Sequence, residues 1–99
     1  MNTIQTKKSS NKLEVILPGD FNMNAVRMIS EQLDDRAELS VDLVHSRFVN
    51  SKAIIFLHML MKTDPQVKVS LKNPPRVLFE LLNALGLQDN WNLDEIIEP

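Results

Sequence analysis

Ser51 is the residue of this chain best placed to do chemistry. It lies between a β-rich apolar run, LSVDLV at 39–44, and an apolar helical run, KAIIFLHMLMK at 52–62. That position is the carboxyl edge of a sheet, where α/β folds put their functional groups. A hydroxyl at a helix N-terminus sits among backbone N–H groups that lack intrahelical partners, and the helix dipole favours negative charge there. A phosphate added at such a site brings about −1.5 to −2 charges. The fold would tolerate it, while the surface that a partner sees would change. The alternative is that Ser51, or Asn50 before it, only caps the helix.

Other side chains with chemical potential have plainer roles. The two glycines, Gly19 and Gly86, are too few for a phosphate-cradling loop. His45, near a strand end, and His58, on a helix flank, belong to different elements and have no Cys or acidic partner at a metal-ligand spacing. Asp34-Asp35 reads as a solvated helix end, and Asp94-Glu95 favour the start of a last helix electrostatically. The methionines read as core filler and helix surface. Trp91 is expected to pin the last helix to the body. No nucleophile with an adjacent base can be assembled, so the expectation is a binding module that is not an enzyme and needs no cofactor or metal.

Composition narrows the partner classes. A chain of 99 residues with 43% apolar and 24% charged residues is expected to form one globular domain over 1–99. The net charge is −2 and neither half is basic, which makes nucleic acid a poor partner. No run reaches the roughly 18 apolar residues of a membrane span, so no direct membrane insertion is expected. The segment Met1 to Lys12 is too polar for a signal peptide. Cysteine is absent, which removes disulfides and thiolate zinc sites and favours the cytoplasm.

The elements that must position Ser51 follow from periodicity. Residues 1–12 form either a short edge strand near Ile4 or a frayed tail. LEVIL at 13–17 reads as a strand that Pro18-Gly19 ends. Ala25, Val26, Ile29 and Leu33 recur at helical spacing, predicting a helix over about 23–35 capped by Asn22 or Asn24. The strand 39–44 and the helix 52–62 follow, the latter apolar around most of its circumference and expected to lie mostly in the core. VKVSL at 67–71 alternates as a strand. Asn73 and Pro74 then read as the cap and first turn of a helix with Val77, Leu78, Leu81, Leu82 and Leu85 on its buried stripe. Gly86 fits the C′ position of that helix. A last short helix is expected over about 92–98. Such alternation builds an α/β fold: a small, mostly parallel (mixed) sheet with helices mainly on one face.

Three segments of this sequence resemble the STAS domains of bacterial anti-sigma-factor antagonists. DLVHSRFVNSKAIIFL at 42–57 is similar to the family signature, an Asp-Leu pair, then a variable stretch, an apolar pair or so, and Asp-Ser-Ser-Gly-Leu opening a helix. Asp42-Leu43 and Phe48-Val49 match, and Ser51 falls on the first serine. Upstream, GDFNMNA at 19–25 resembles the family's Gly-Glu-Leu-Asp segment. Downstream, NPPRVLFELLNALGL at 73–87 resembles its third helix, which ends in Gly-Leu. Asn50, Lys52 and Ala53 stand where the signature has Asp, Ser and Gly, and Asn22 stands where Asp is usual. Asn50 can still cap the helix, and the exchange of Asp and gain of Lys move the local charge by about two units toward positive.

The resemblance implies a partner switch. An antagonist of this kind binds an anti-sigma factor that is itself a serine kinase. Phosphorylation at the position of Ser51 separates the pair, and a serine phosphatase restores binding. It further implies that Asn50, Lys52, the exposed part of the 52–62 helix, and Asn22 and Asn24 of the preceding loop flank the interface. Two other outcomes are open to the same fold. One is a constitutive STAS subunit docked on the ATPase of a lipid-transporting ABC complex, which the altered residues Lys52 and Ala53 keep in view. The other is a nucleotide or small-ligand sensor.

Overall fold

The computed structural model describes residues 4–63 and 67–98. Along the chain run β1 (Gln5–Lys8), β2 (Lys12–Ile16), α1 (Met23–Leu33), β3 (Glu38–Asp42), α2 (Ser51–Thr63), β4 (Lys68–Lys72), α3 (Arg76–Ala84) and α4 (Leu93–Ile96). The strands form one sheet in the order β1-β2-β3-β4. β1 is antiparallel to β2, while β2, β3 and β4 are parallel. This is the mixed, mostly parallel sheet expected from the alternation of elements.

Side-chain alternation shows where the helices lie. Leu13 and Val15, Leu39 and Val41, Val69 and Leu71 are all buried. Of the intervening residues, Glu14, Glu38, Asp42, Lys68 and Lys72 are partly or wholly exposed, and only the small Ser40 in the middle of β3 is buried. One face is therefore covered and the other wet, as period-2 strands require. On the wet face Lys12, Glu38 and Lys68 stand side by side in register, a row of alternating charge that favours this alignment over a slipped one. The covered face meets Ala25, Val26, Ile29 and Leu33 of α1, Ala53, Ile54 and Leu57 of α2, and Leu78 and Leu82 of α3.

The chain's ends guard the two edges differently. β1 carries Lys7 and Lys8, the residue type that discourages edge-to-edge pairing. At β4, Ile97 forms a parallel bridge with Leu71, and the Glu98 N–H donates to the Leu71 carbonyl at 2.9 Å. The expected last helix is thus a single turn, and Ile97 leaves it to cover the sheet edge. Trp91 is buried, and its indole Nε1–H donates to His58 Nδ1 at 3.2 Å, which ties the C-terminal segment to α2.

Three further boundaries differ from the sequence expectation by two residues, each for a local reason. β3 stops at Asp42, because the Asp42 carboxylate accepts the Val44 N–H at 3.0 Å and turns the chain out of the sheet. Helix α1 stops at Leu33, with Asp34 at φ 54 reversing the backbone twist. Asn73 does not cap α3: it sits at φ 52 and its side-chain amide donates to Asp42 Oδ1 at 3.0 Å. Pro75, in extended conformation, is the residue before the first helical turn, and α3 begins at Arg76.

The end of α3 follows the expectation. Gly86 has φ 71; its N–H donates to Asn83 O, and the Leu87 N–H donates to Leu82 O. This is the Schellman pattern of paired C-terminal bonds. A Cβ built on Gly86 meets nothing within 4 Å, so steric collision adds nothing to the cost of an alanine. Gly86→Ala is expected to destabilise the fold by about 1–2 kcal/mol through left-handed backbone strain alone. Urea unfolding should show a lower midpoint with an unchanged slope.

Candidate functional site

The loops after β2, β3 and β4 meet at the carboxyl edge of the sheet. Phe21 and Val49 form a parallel bridge there, outside the regular strands. The Phe21 N–H donates to Phe48 O at 3.1 Å, and the Asn50 N–H donates to Phe21 O at 2.8 Å. Asp20 Oδ1 accepts the N–H groups of Arg47 and Phe48, both at 3.1 Å. The buried Ser46 hydroxyl donates to Gly19 O at 2.6 Å. Asp42 joins the third loop through Asn73. The peptide before Ser51 is thus held on several sides by groups from the first motif, GDFN.

This framework decides which residue caps α2. Asn50 Oδ1 accepts the Lys52 N–H at 2.8 Å, and Asn50 O accepts the N–H groups of Ala53 at 2.9 Å and Ile54 at 3.3 Å. Asn50 is therefore the N-cap and Ser51 the first helical residue. The Ser51 side chain is exposed and makes no hydrogen bond among the described residues. Of the two roles open to Ser51, capping belongs to its neighbour, and the hydroxyl is left facing solvent at a helix N-terminus.

A stability comparison tests that assignment. Asn50→Ala should cost about 1 kcal/mol, Asn50→Asp should be tolerated, and Ser51→Ala should fall within about 0.5 kcal/mol of the parent. Urea midpoints of the three variants give the answer. A Ser51→Ala loss as large as that of Asn50→Ala would return the capping role to the serine.

The other residues placed at the site by sequence are distributed as follows. Asn22 is exposed but occupied: its Oδ1 accepts the Ala25 N–H at 3.1 Å and caps α1. Asn24 is the second residue of α1 and exposed, and Lys52 is exposed beside Ser51. The 52–62 helix is core on one side only. Ala53, Ile54 and Leu57 are buried, whereas Ile55 is 44% and Met59 54% exposed. Phe48, 66% exposed, projects just before Asn50, while Val49 next to it is buried. Sequence reasoning missed the exposure of Phe48 and the tie made by Asp20. The signal for the first was the short alternation Arg-Phe-Val-Asn ahead of the helix, which sends one of two adjacent apolar residues outward. Among the described residues no helix is long and apolar enough to cross a membrane.

No family model matches this chain, and no curated protein matches it. A solved structure does match: that of the anti-sigma factor antagonist SpoIIAA in its unphosphorylated form. The TM-score is 0.70 with 13% sequence identity, over 97% of this chain and 86% of that one. The chain accordingly has the STAS fold, the fold its three motifs resemble.

Proposed function

We propose that this protein is a phosphorylation-controlled binding module of a partner-switching pathway, acting as an anti-sigma-factor antagonist in the cytoplasm. With Ser51 unphosphorylated it binds an anti-sigma factor that is also a serine kinase. Phosphorylation of Ser51 releases that partner, and a serine phosphatase resets the module. Asn50, Lys52, Asn22, Asn24 and the exposed side of α2 border the contact. The protein works by binding and release and not by catalysis.

The observation that carries this reading is the division of labour at the start of α2. Asn50 does the capping, so the Ser51 hydroxyl is exposed and has no structural duty. It therefore gains or loses a phosphate without disturbing the fold. The shared fold with an anti-sigma factor antagonist supports the choice of pathway.

The test is a paired capture from native-host lysate, with Ser51→Ala and Ser51→Glu proteins as bait. Capture of a protein with a kinase-like ATPase domain by the alanine form alone is the expected result. An ABC-type ATPase held equally by both forms would make the chain a fixed subunit and overturn the switch.

A further inference from the structure

The surface around Ser51 differs in charge from the rest of the chain. From Leu43 to Thr63 the sequence contains Arg47, Lys52 and Lys62 and neither Asp nor Glu. This segment carries +3 in a chain of net −2, which leaves −5 on the remainder. On α2 the exposed residues Lys52, Ile55, Met59 and Lys62 recur at intervals of three and four, so they form one stripe along the helix. Two apolar side chains sit in its middle, with a lysine at each end. Ahead of the helix start, Arg47 and Phe48 are exposed as well.

Among the described residues, neighbouring elements do not neutralise the Ser51 end of this face. The β2-to-α1 loop brings Asp20, whose carboxylate is turned onto the backbone N–H groups of Arg47 and Phe48. Helices α1 and α2 both follow parallel strands, so their N-termini lie at the same sheet edge. The Ser51 end of α1 shows Met23, Asn24 and Arg27, while Glu31, Asp34 and Asp35 lie at its other end, the end at which α2 carries Lys62. On α3 the exposed Arg76 pairs with Glu80 at 3.9 Å.

We propose that this stripe docks on an acidic protein surface with an apolar groove, the groove receiving Phe48, Ile55 and Met59 and its carboxylates meeting Arg47, Lys52 and Lys62. This rests on the partner-switch function and adds the chemistry of the partner. It also explains how one phosphate acts. Added beside Lys52, a charge of about −1.5 to −2 outweighs that lysine and sets like charges against each other across the contact. A protein groove suits the stripe better than a lipid surface. Polybasic lipid sites gather four to eight cations, whereas here three are spaced around large apolar side chains, as in a helix face read by a groove.

The test needs no natural partner. The ¹⁵N-labelled protein is titrated with a synthetic amphipathic Leu/Glu helix and with its Leu/Lys twin, at low and high salt. The Leu/Glu peptide is expected to bind about tenfold or more tightly than its twin. Its shifts should map to Phe48, Lys52, Ile55, Met59 and Lys62, with the preference shrinking as salt is raised. Lys52→Glu/Lys62→Glu, at two exposed positions, should abolish that preference while circular dichroism stays unchanged. Equal binding of both peptides, no shift on the stripe, or shifts confined to the open sheet face would overturn the proposal. So would perturbation of the same resonances by phosphatidylglycerol vesicles with none by the peptide, which would assign the stripe to a membrane surface. Equal capture of partner by the two Ser51 variants would end the switch but leave the peptide result standing. A failed titration beside a working switch would remove only the acidic groove.

Discussion

Ser51→Glu protein is expected to bind its captured partner about a hundredfold more weakly than Ser51→Ala protein, a difference of roughly 2.8 kcal/mol at 1.4 kcal/mol per decade. The magnitude follows from what an added charge does at a closed interface. An uncompensated charge taken out of water costs several kcal/mol unless a partner of opposite sign meets it. A surface evolved to receive a neutral hydroxyl supplies no such partner. Glutamate brings one charge where phosphate brings up to two, so authentic phosphorylation should weaken binding further. The alanine form should bind as the unphosphorylated parent does, because its missing hydroxyl makes no hydrogen bond among the described residues.

Neither substitution should disturb the fold, and that makes the comparison clean. Position 51 is exposed and capped from outside by Asn50. A carboxylate in the first turn of α2 is, if anything, favourable to the helix dipole. Calorimetric titrations of the purified partner against the two variants give the affinity ratio. Equal affinities, with both proteins folded, would mean that Ser51 is not the switch.

How much of this was legible in the sequence depended on whether a local pattern had one physical cause or two. Strands β2, β3 and β4 were readable because each buries alternate residues under helices, and alternation survives in the letters. β1 was ambiguous because all four of its residues are exposed. Nothing in Gln-Thr-Lys-Lys is buried, so only pairing with the free edge of β2 defines it. The end of β3 was overrun by two residues because Leu43 and Val44 continue the apolar run, while the turn is made by the side chain of Asp42. Proline and asparagine before α3 offered several possible starts, and the hydrogen bond of Asn73 to Asp42 chose among them.

The site was legible in position and illegible in assignment. Asn50 and Ser51 are both good cap residues, and only the distance from Asn50 Oδ1 to the Lys52 N–H separates their roles. Helix α2 is apolar nearly all round, so periodicity could not say which side was core. The packing shows Ile54 and Leu57 inside and Ile55 and Met59 outside. Motif resemblance named a fold that global sequence comparison does not reach. Residues 50, 52 and 53 of the signature are replaced, yet the order of strand ends and helix starts around them is kept.

Phe21→Ala is expected to cost about 3–5 kcal/mol, the range for a fully buried aromatic side chain, and so to remove much of the 5–15 kcal/mol that a domain of this size commonly has. Phe21 is 0% exposed and lies in the loop that joins β2 to α1. Its backbone holds both Phe48 and Asn50, so the ring and the peptide act at one point. The ring fills the core beneath the site, and the peptide fixes the residue that caps α2. Deleting the ring should therefore loosen the carboxyl edge as well as lower global stability. Hydrogen exchange should register this as faster exchange at Asn50, Lys52 and Ala53 than the global loss accounts for. Phe21→Leu, which keeps most of the apolar volume, should lose less and leave those amides protected. A thermal midpoint of Phe21→Ala within a few degrees of the parent would show that the ring is not the keystone of this edge, because about 3 kcal/mol corresponds to roughly 12–24 °C in a domain of this length.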